Sequence, residues 1–281
     1  MNTFFLDRLN SEPHALAFAG QSTPWPVTLA DQSANPVLDE ALHTHADAAQ
    51  ALLYPVSADL LATTGRPVDL FGFEPNPARL GAAAAASASV PGIALAQLGA
   101  LLDAASLGYN PAVAKPVAVL GHSQGVLAVH MVQAIVEAGS IEAASAQIDE
   151  ILAIATLIGV AGTRQARQLG LAARHGEATP MLSVKDITRA QVDALIKRVS
   201  GARGPIAVAV TNSATHYVLS GYPEDLAAFG VEVAKEHKHQ AKLREEKVRG
   251  GRVFEPVLEY LDVTLPFHSP LMAEAVSQAV S

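Results

Sequence analysis

Apolar positions along this chain fall into two kinds of run. Short unbroken ones, Ala15-Leu16-Ala17-Phe18-Ala19 ending at Gly20-Gln21 and Val117-Ala118-Val119-Leu120 ending at Gly121, read as strands of a parallel sheet, buried on both faces. Longer ones repeat at helical spacing. Over 34–53, Val37, Leu38, Ala41, Leu42, Ala49 and Leu52 lie on or near one face, and Val90 to Leu107 behaves likewise, with Pro91 suited to a first helical turn. Val126 to Ala138 is a further apolar helix, stopped by Gly139. Strand, tight turn and helix in this order predict an α/β core with parallel strands.

The pattern changes near Thr179-Pro180. Met181 to Val184 predicts a strand, Thr188 to Val199 a helix, and Ile206 to Val210 and His216 to Ser220 two strands. Pro223 to Glu236 predicts a helix opening on Glu224 and Asp225, and Leu258 to Leu265 a last strand. Strand, helix, two strands, helix, strand is the order of a ferredoxin-like unit. The expected organisation is therefore a core over 1–178, a small inserted subdomain over 179–264, and a return to the core over 265–281. No repeat of 20–50 residues is visible.

Composition narrows the function classes. The chain has 281 residues, half of them apolar and only 16% charged, enough to bury a sizeable core. Nineteen Lys and Arg against 27 Asp and Glu give a net charge of −8, which argues against a nucleic-acid partner. With no cysteine, disulfide frameworks, thiolate metal sites and a cysteine nucleophile are excluded, and no metal site is expected. Met1 to Glu12 carries one arginine and no sustained apolar stretch, unlike an export signal. Ala82 to Leu102 is mostly alanine, interrupted by Ser87, Ser89 and Pro91, and reads as a buried helix, not a membrane span. The expectation is a soluble, cytoplasmic protein.

Gly121-His122-Ser123-Gln124-Gly125 fits G-x-S-x-G, the nucleophile elbow. Small residues flank the serine because the backbone turns sharply there, and the preceding strand and following helix lift its hydroxyl out at the strand's carboxyl end. An ordinary glycine-bracketed turn is the competing reading. A serine hydroxyl needs a base within hydrogen-bond reach, and ten histidines are available. The side chain of His122 diverges from its neighbour Ser123, and His130 lies roughly 10 Å farther along the helix axis. His216 falls in a strand, half-exposed, while His237 and His239 belong to a charged, solvated stretch. His268 stands apart, in Leu265-Pro266-Phe267-His268-Ser269-Pro270, where two prolines fix the backbone. On the residues alone it is a candidate base and no more.

Gly20-Gln21, Gly121 to Gly125, Asn212-Ser213 with Val218-Leu219-Ser220-Gly221, and Pro266 to Pro270 occur in the order found in malonyl/acetyl acyltransferases of fatty acid and polyketide synthesis. The chain resembles that family from residue 20 to residue 270. Phe18-Ala19-Gly20-Gln21, Gly121 to Val129, and Lys247-Val248-Arg249-Gly250-Gly251 before Val253-Phe254 are similar to one branch, the amino-terminal acetyl transferase domain of bacterial type I fatty acid synthases. The resemblance implies an α/β-hydrolase-like parallel-sheet core with an inserted ferredoxin-like subdomain. It implies Ser123 as nucleophile, His268 as general base and acid, and the backbone N–H groups of Gln124 and Gln21 as oxyanion hole. Asn212 would order the loop beside the site and could touch substrate. No permanently bound cofactor is implied: a CoA thioester is the substrate and the phosphopantetheine thiol of an acyl carrier domain the acceptor. The other implied partners are the remaining domains of a large, homo-oligomeric synthase. The family's core continues past the catalytic histidine, so the C-terminal part of the core is expected to be absent here.

One departure bears on the acyl group. Malonyl-transferring relatives carry an arginine on the helix after the serine's helix, pairing with the free carboxylate. The matching window, Leu157 to Gly162, has none. An acyl pocket lined by Ile158, Val160 and Ala161 suits a methyl group, whereas an unpaired malonyl carboxylate there would cost several kcal/mol. Acetyl transfer is the expectation. A register slip of one turn would bring Arg164 to the clamp and restore malonyl. Lys235 to Arg252 holds seven Lys or Arg, read as a solvated face interleaved with Glu236, Glu245 and Glu246, or as a patch for CoA phosphates or an acidic carrier. A serine esterase or thioesterase on the same elbow remains an alternative, although no acidic residue completes a triad convincingly; Asp262 is the weak candidate. A non-catalytic scaffold is a third.

Overall fold

The computed structural model describes residues 3–21, 24–64, 86–171, 178–199, 202–246 and 254–280. Lys247 to Gly251 and Val253 of the sequence motif lie outside these. The chain divides into two compact units, Met1–Ala161 and Gly162–Ser281.

In the first unit β1 (Ala15–Phe18) pairs in parallel with β2 (Ala118–Gly121), from Ala15 opposite Ala118 to Phe18 opposite Gly121. Around them run α1 (Thr3–Ser11), α2 (Trp25–Ser33), α3 (Pro36–Thr64), α4 (Ala86–Ser106), the short α5 (Pro111–Ala114) and α6 (Val126–Ala138). The division falls within α7 (Ser145–Gln168). Gly139 ends α6 as the sequence predicts: its φ of +91° is open to glycine, and its N–H closes on the Ile135 carbonyl at 2.8 Å.

Two expectations need correction here. The strands are not buried on both faces: Val117, just before β2, is 72% exposed and Leu120 59%. An unbroken apolar run predicts burial only where layers cover both faces of the sheet, and among the described residues this sheet has two strands. Pro91 also does not sit in a first turn. The helix begins at Ala86 and contains Pro91, because burial of Ala86, Ala88, Ser89 and Val90 extends it beyond the point where the local rule would start it.

Helix α4 is buried along nearly its whole length, with Val90, Ile93, Leu95, Leu98 and Leu101 in the core. Among the described residues two helices, α4 and α7, are long and apolar enough to cross a membrane, but 72% of the most apolar stretch of α4 is buried inside the protein. His45 on α3 meets Asp149 on α7 at 2.5 Å, a largely buried pair that ties these helices together.

The second unit is built on β3 (Met181–Lys185), α8 (Arg189–Ile196), β4 (Ala207–Ser213), β5 (His216–Ser220), α9 (Pro223–Glu245) and β6 (Val257–Tyr260). The order of elements is the one the sequence predicts. The sheet runs β4-β5-β3-β6, antiparallel throughout. Alternation sets its two faces. Leu182, Val184, Tyr217 and Leu219 point to one side, where Val192 and Leu195 of α8 and Leu226, Phe229 and Val233 of α9 close a core. Met181 and Val218 point to the other, under Val263 and Phe267.

Local chemistry fixes the ends. Thr188 caps α8 in a reciprocal box with Gln191. Buried Asp225, in the first turn of α9, accepts from the N–H groups of Arg203 (2.9 Å) and Gly204 (3.0 Å). Helix α9 outruns its expected end at Glu236, sustained by pairs such as Gln240 with Glu236. The last strand is shorter than its apolar pattern suggests. After Tyr260 the chain turns off the sheet, with Val263 N–H on the Leu261 carbonyl at 2.7 Å, and Val263 and Leu265 are buried as an irregular segment. Asp262 is exposed in that bend and not in a strand.

Candidate active site

Between β2 and α6 the chain makes a tight turn over Ser123–Gly125. Ser123 sits at its apex with φ of +52°, a conformation that costs a residue with a Cβ roughly 1–2 kcal/mol. The turn survives because its surroundings are too close for anything else. A Cβ on Gly121 would lie 2.5 Å from the Gly125 carbonyl, and one on Gly125 would lie 2.3 Å from the Phe18 carbonyl oxygen. His122 N–H bonds the Phe18 carbonyl at 3.0 Å, pinning the turn to the end of β1. The serine is half-buried and His122 exposed, consistent with the diverging side chains expected of neighbours.

Gly20 closes the other side. A Cβ there would stand 2.6 Å from the His122 carbonyl oxygen, 3.2 Å from Ser123 Cβ and 3.4 Å from the Gln124 nitrogen. Three sequence-predicted residues, Ser123, Gln124 and Gln21, are thus brought together. The first turn of a helix leaves N–H groups without intrahelical partners, so this corner is suited to developing negative charge.

Sequence reasoning missed the side chains behind this corner. Gln21 Nε2 donates to Gln124 Oε1, and Gln124 Nε2 donates to the Val90 carbonyl on α4. Ser89 Oγ donates to Gln21 Oε1 at 3.3 Å, and Gln97 Nε2 to the Ala19 carbonyl at 2.6 Å. No pattern in the sequence marks Ser89 or Gln97, since their partners come from remote segments.

His268 belongs to the second unit. Its φ is +54°, so it too sits on strained backbone, and it is exposed. The segment around it is firmly held. Phe267 packs against Met181, Val218 and Val263, buried Leu265 lies against Gly162, and Gln165 Nε2 donates to the Leu271 carbonyl at 3.1 Å. Ser269 Oγ donates to the Pro266 carbonyl at 2.6 Å. Asn212 is exposed near the end of β4, where the pairing with β5 is irregular, and its Nδ2 lies 3.4 Å from His216 Nε2. His216 also meets buried Ser183 Oγ at 3.1 Å, a polar cluster on the sheet face away from the helices. On α7, Val160 and Ala161 are buried while Ile158 is 36% exposed. Gly159 between them packs against the Ala86 carbonyl at the start of α4.

Comparison with known proteins bears on both units. The family model of the fatty acid synthase central AT domain matches residues 180–260. Fatty acid synthase beta subunit hexB of Dothistroma septosporum is 27% identical over 169 residues, 56% of this chain and 9% of that one. The chain is thus similar to fatty acid synthase proteins over these stretches, residues 180–260 in the case of the family model.

Solved transacylases share the fold. The malonyl CoA-acyl carrier protein transacylase of Coxiella burnetii superposes with a TM-score of 0.58 at 18% identity, over 95% of this chain and 67% of that one. An acyl-carrier-protein-S-malonyltransferase from Bartonella henselae gives 0.56 at 21% identity, over 95% and 68%. A malonyl transacylase solved in complex with a type II polyketide synthase acyl carrier protein gives 0.57 at 18%, over 95% and 68%. The chain thus spans about two thirds of each solved chain and less than a tenth of the synthase subunit.

Proposed function

We propose that this chain carries the acyl-accepting serine of an acyltransferase that moves an acetyl starter from CoA to an acyl carrier domain in fatty acid synthesis. The observation that carries the reading is the backbone of Ser123, held at positive φ between a strand end and a helix start. In the first half-reaction Ser123 Oγ attacks the thioester carbonyl carbon and its proton passes to His268. The C–S bond then breaks and the CoA thiolate takes that proton. In the second half His268 takes the proton of the carrier's phosphopantetheine thiol, the sulfur attacks the ester carbonyl, the bond to Ser123 Oγ breaks, and the proton passes from His268 to the serine oxygen. The N–H groups of Gln124 and Gln21 receive the oxyanion in both halves, each donor worth roughly 3 kcal/mol of barrier.

Acetyl is the favoured acyl group because the window Leu157 to Gly162 offers Ile158, Val160 and Ala161 and no cation. Malonyl is the second reading. It is favoured by Arg164, at i+4 from Val160 and i+3 from Ala161 on the same helix, and by the names of the solved relatives. In this reading Asn212 borders the acyl site. The parallel pair belongs to an α/β-hydrolase-like core over 1–178, rejoined by 265–281, and the antiparallel sheet to a ferredoxin-like subdomain over 179–264. The strand order β4-β5-β3-β6 with both helices on one face supports that assignment.

Labelled acetyl-CoA and malonyl-CoA, each with wild type and Ser123→Ala, test the reading. The expected result is a serine ester formed faster from acetyl-CoA, absent in the variant and chased onto a phosphopantetheinylated carrier domain. Faster malonyl labelling overturns the choice of acyl group. Label retained in the variant overturns the nucleophile, and free acetate released without a carrier points to a hydrolase.

A further inference from the structure

The side-chain bonds behind the elbow close a ring. Ser89 Oγ–H donates to Gln21 Oε1, Gln21 Nε2–H to Gln124 Oε1, and Gln124 Nε2–H to the Val90 carbonyl. The ring starts and ends on adjacent residues of α4, passes through both segments whose backbone N–H groups are the proposed oxyanion donors, and runs in one donor-to-acceptor direction. Helix α4 is an unyielding anchor, since Ser89, Val90 and the residues after them are buried. Gln97, two turns farther along α4, adds a bond to the Ala19 carbonyl just before Gly20.

From this we infer that Gln21, Gln124 and Ser89 are positioning residues, which clip the two oxyanion donors to one rigid helix and fix the gap between them. An oxyanion hole works only if its donors already stand where charge develops, so a shift of a few tenths of an ångström is felt in the transition state and hardly at all in the bound thioester. Glutamine is suited to the task at both positions. It donates and accepts from one rigid amide, so each residue passes the chain on. Leucine, of similar size, would fill the space and break the ring.

The inference rests on Ser123 as the acylated residue, and its test separates the two. Gln21→Leu, Gln124→Leu and Ser89→Ala are compared with wild type for acylation by acetyl-CoA. A small fluorophosphonate ester, which reacts with an activated serine whatever acyl group is preferred, is run in parallel. At saturating acetyl-CoA each leucine variant is expected to acylate about 10–100-fold more slowly, with KM within about twofold of wild type. Ser89→Thr, which keeps the hydroxyl, is expected to recover the rate that Ser89→Ala loses. Rates within twofold of wild type, or a raised KM at unchanged kcat, overturn the positioning role. A wild type that reacts with the fluorophosphonate but with neither acyl-CoA overturns the acyl-transfer reading alone. The variants' phosphonylation rates then decide the clip, a tenfold slowing upholding it and an unchanged rate overturning it. A wild type inert to all three reagents overturns both together.

Discussion

Ser123 and Gly125 show how one position can be strained and fixed at once. The positive φ of the serine is imposed by neighbours that leave no room for relaxation, because Gly125 lies against the Phe18 carbonyl and Gly20 against His122. Removing the Cβ should release that strain. Ser123→Gly is expected to be more stable than Ser123→Ala by about 1 kcal/mol in urea unfolding, although neither has a nucleophile. If the two variants unfold at the same urea concentration, the turn is not strained in solution. The elbow is legible in the sequence because its requirements are local: two glycines, a strand before and a helix after. The ring behind it is not. Its bonds join residues 68, 103 and 34 positions apart, and no pattern within a window of the chain reports such pairings.

Among the elements, the antiparallel sheet is the more readable part. Short apolar runs and the acidic first turn of α9 are short-range signals, and the strands and helices expected over 179–264 are present, although the last strand stops at Tyr260 and not at Leu265. The surroundings of the parallel pair are not readable in the same way, since the exposure of Val117 and Leu120 depends on what other elements cover. Likewise, the local rule for Pro91 is overridden by the burial of α4. Asp225, in the first turn of α9, offers a direct check. Asp225→Asn replaces one accepting oxygen by an amide that meets the Arg203 or Gly204 N–H donor to donor, and should cost about 2 kcal/mol by thermal or urea unfolding. Farther along the same helix, Gln240 and Arg198 hydrogen-bond Glu236, at 2.7 and 2.6 Å, and hold its carboxyl below the usual range; the Arg198 charge adds to this. A lowered folded-state value means that the stabilisation is complete above the ordinary glutamate value and lost as pH falls through the lowered one. Glu236→Gln should therefore flatten the loss of stability on the acid side of that ordinary value. An acid limb as steep as wild type would show that the carboxylate contributes nothing.

For the whole molecule, Ser123 belongs to the first compact unit and His268 to the second. His268→Ala should slow acetylation of Ser123 by about 10²–10⁴-fold, the range of general-base catalysis, while Phe267 keeps its packing. A smaller effect, read in a rapid-quench labelling experiment, would remove the histidine from the reaction. The two residues share one further trait, a left-handed backbone that neither would choose on its own. Such geometry persists only while the surrounding fold enforces it, and it lapses as soon as that fold begins to breathe. Mild denaturant should consequently silence the serine's reactivity while far-ultraviolet circular dichroism still shows intact helices, so that competence fades ahead of collapse.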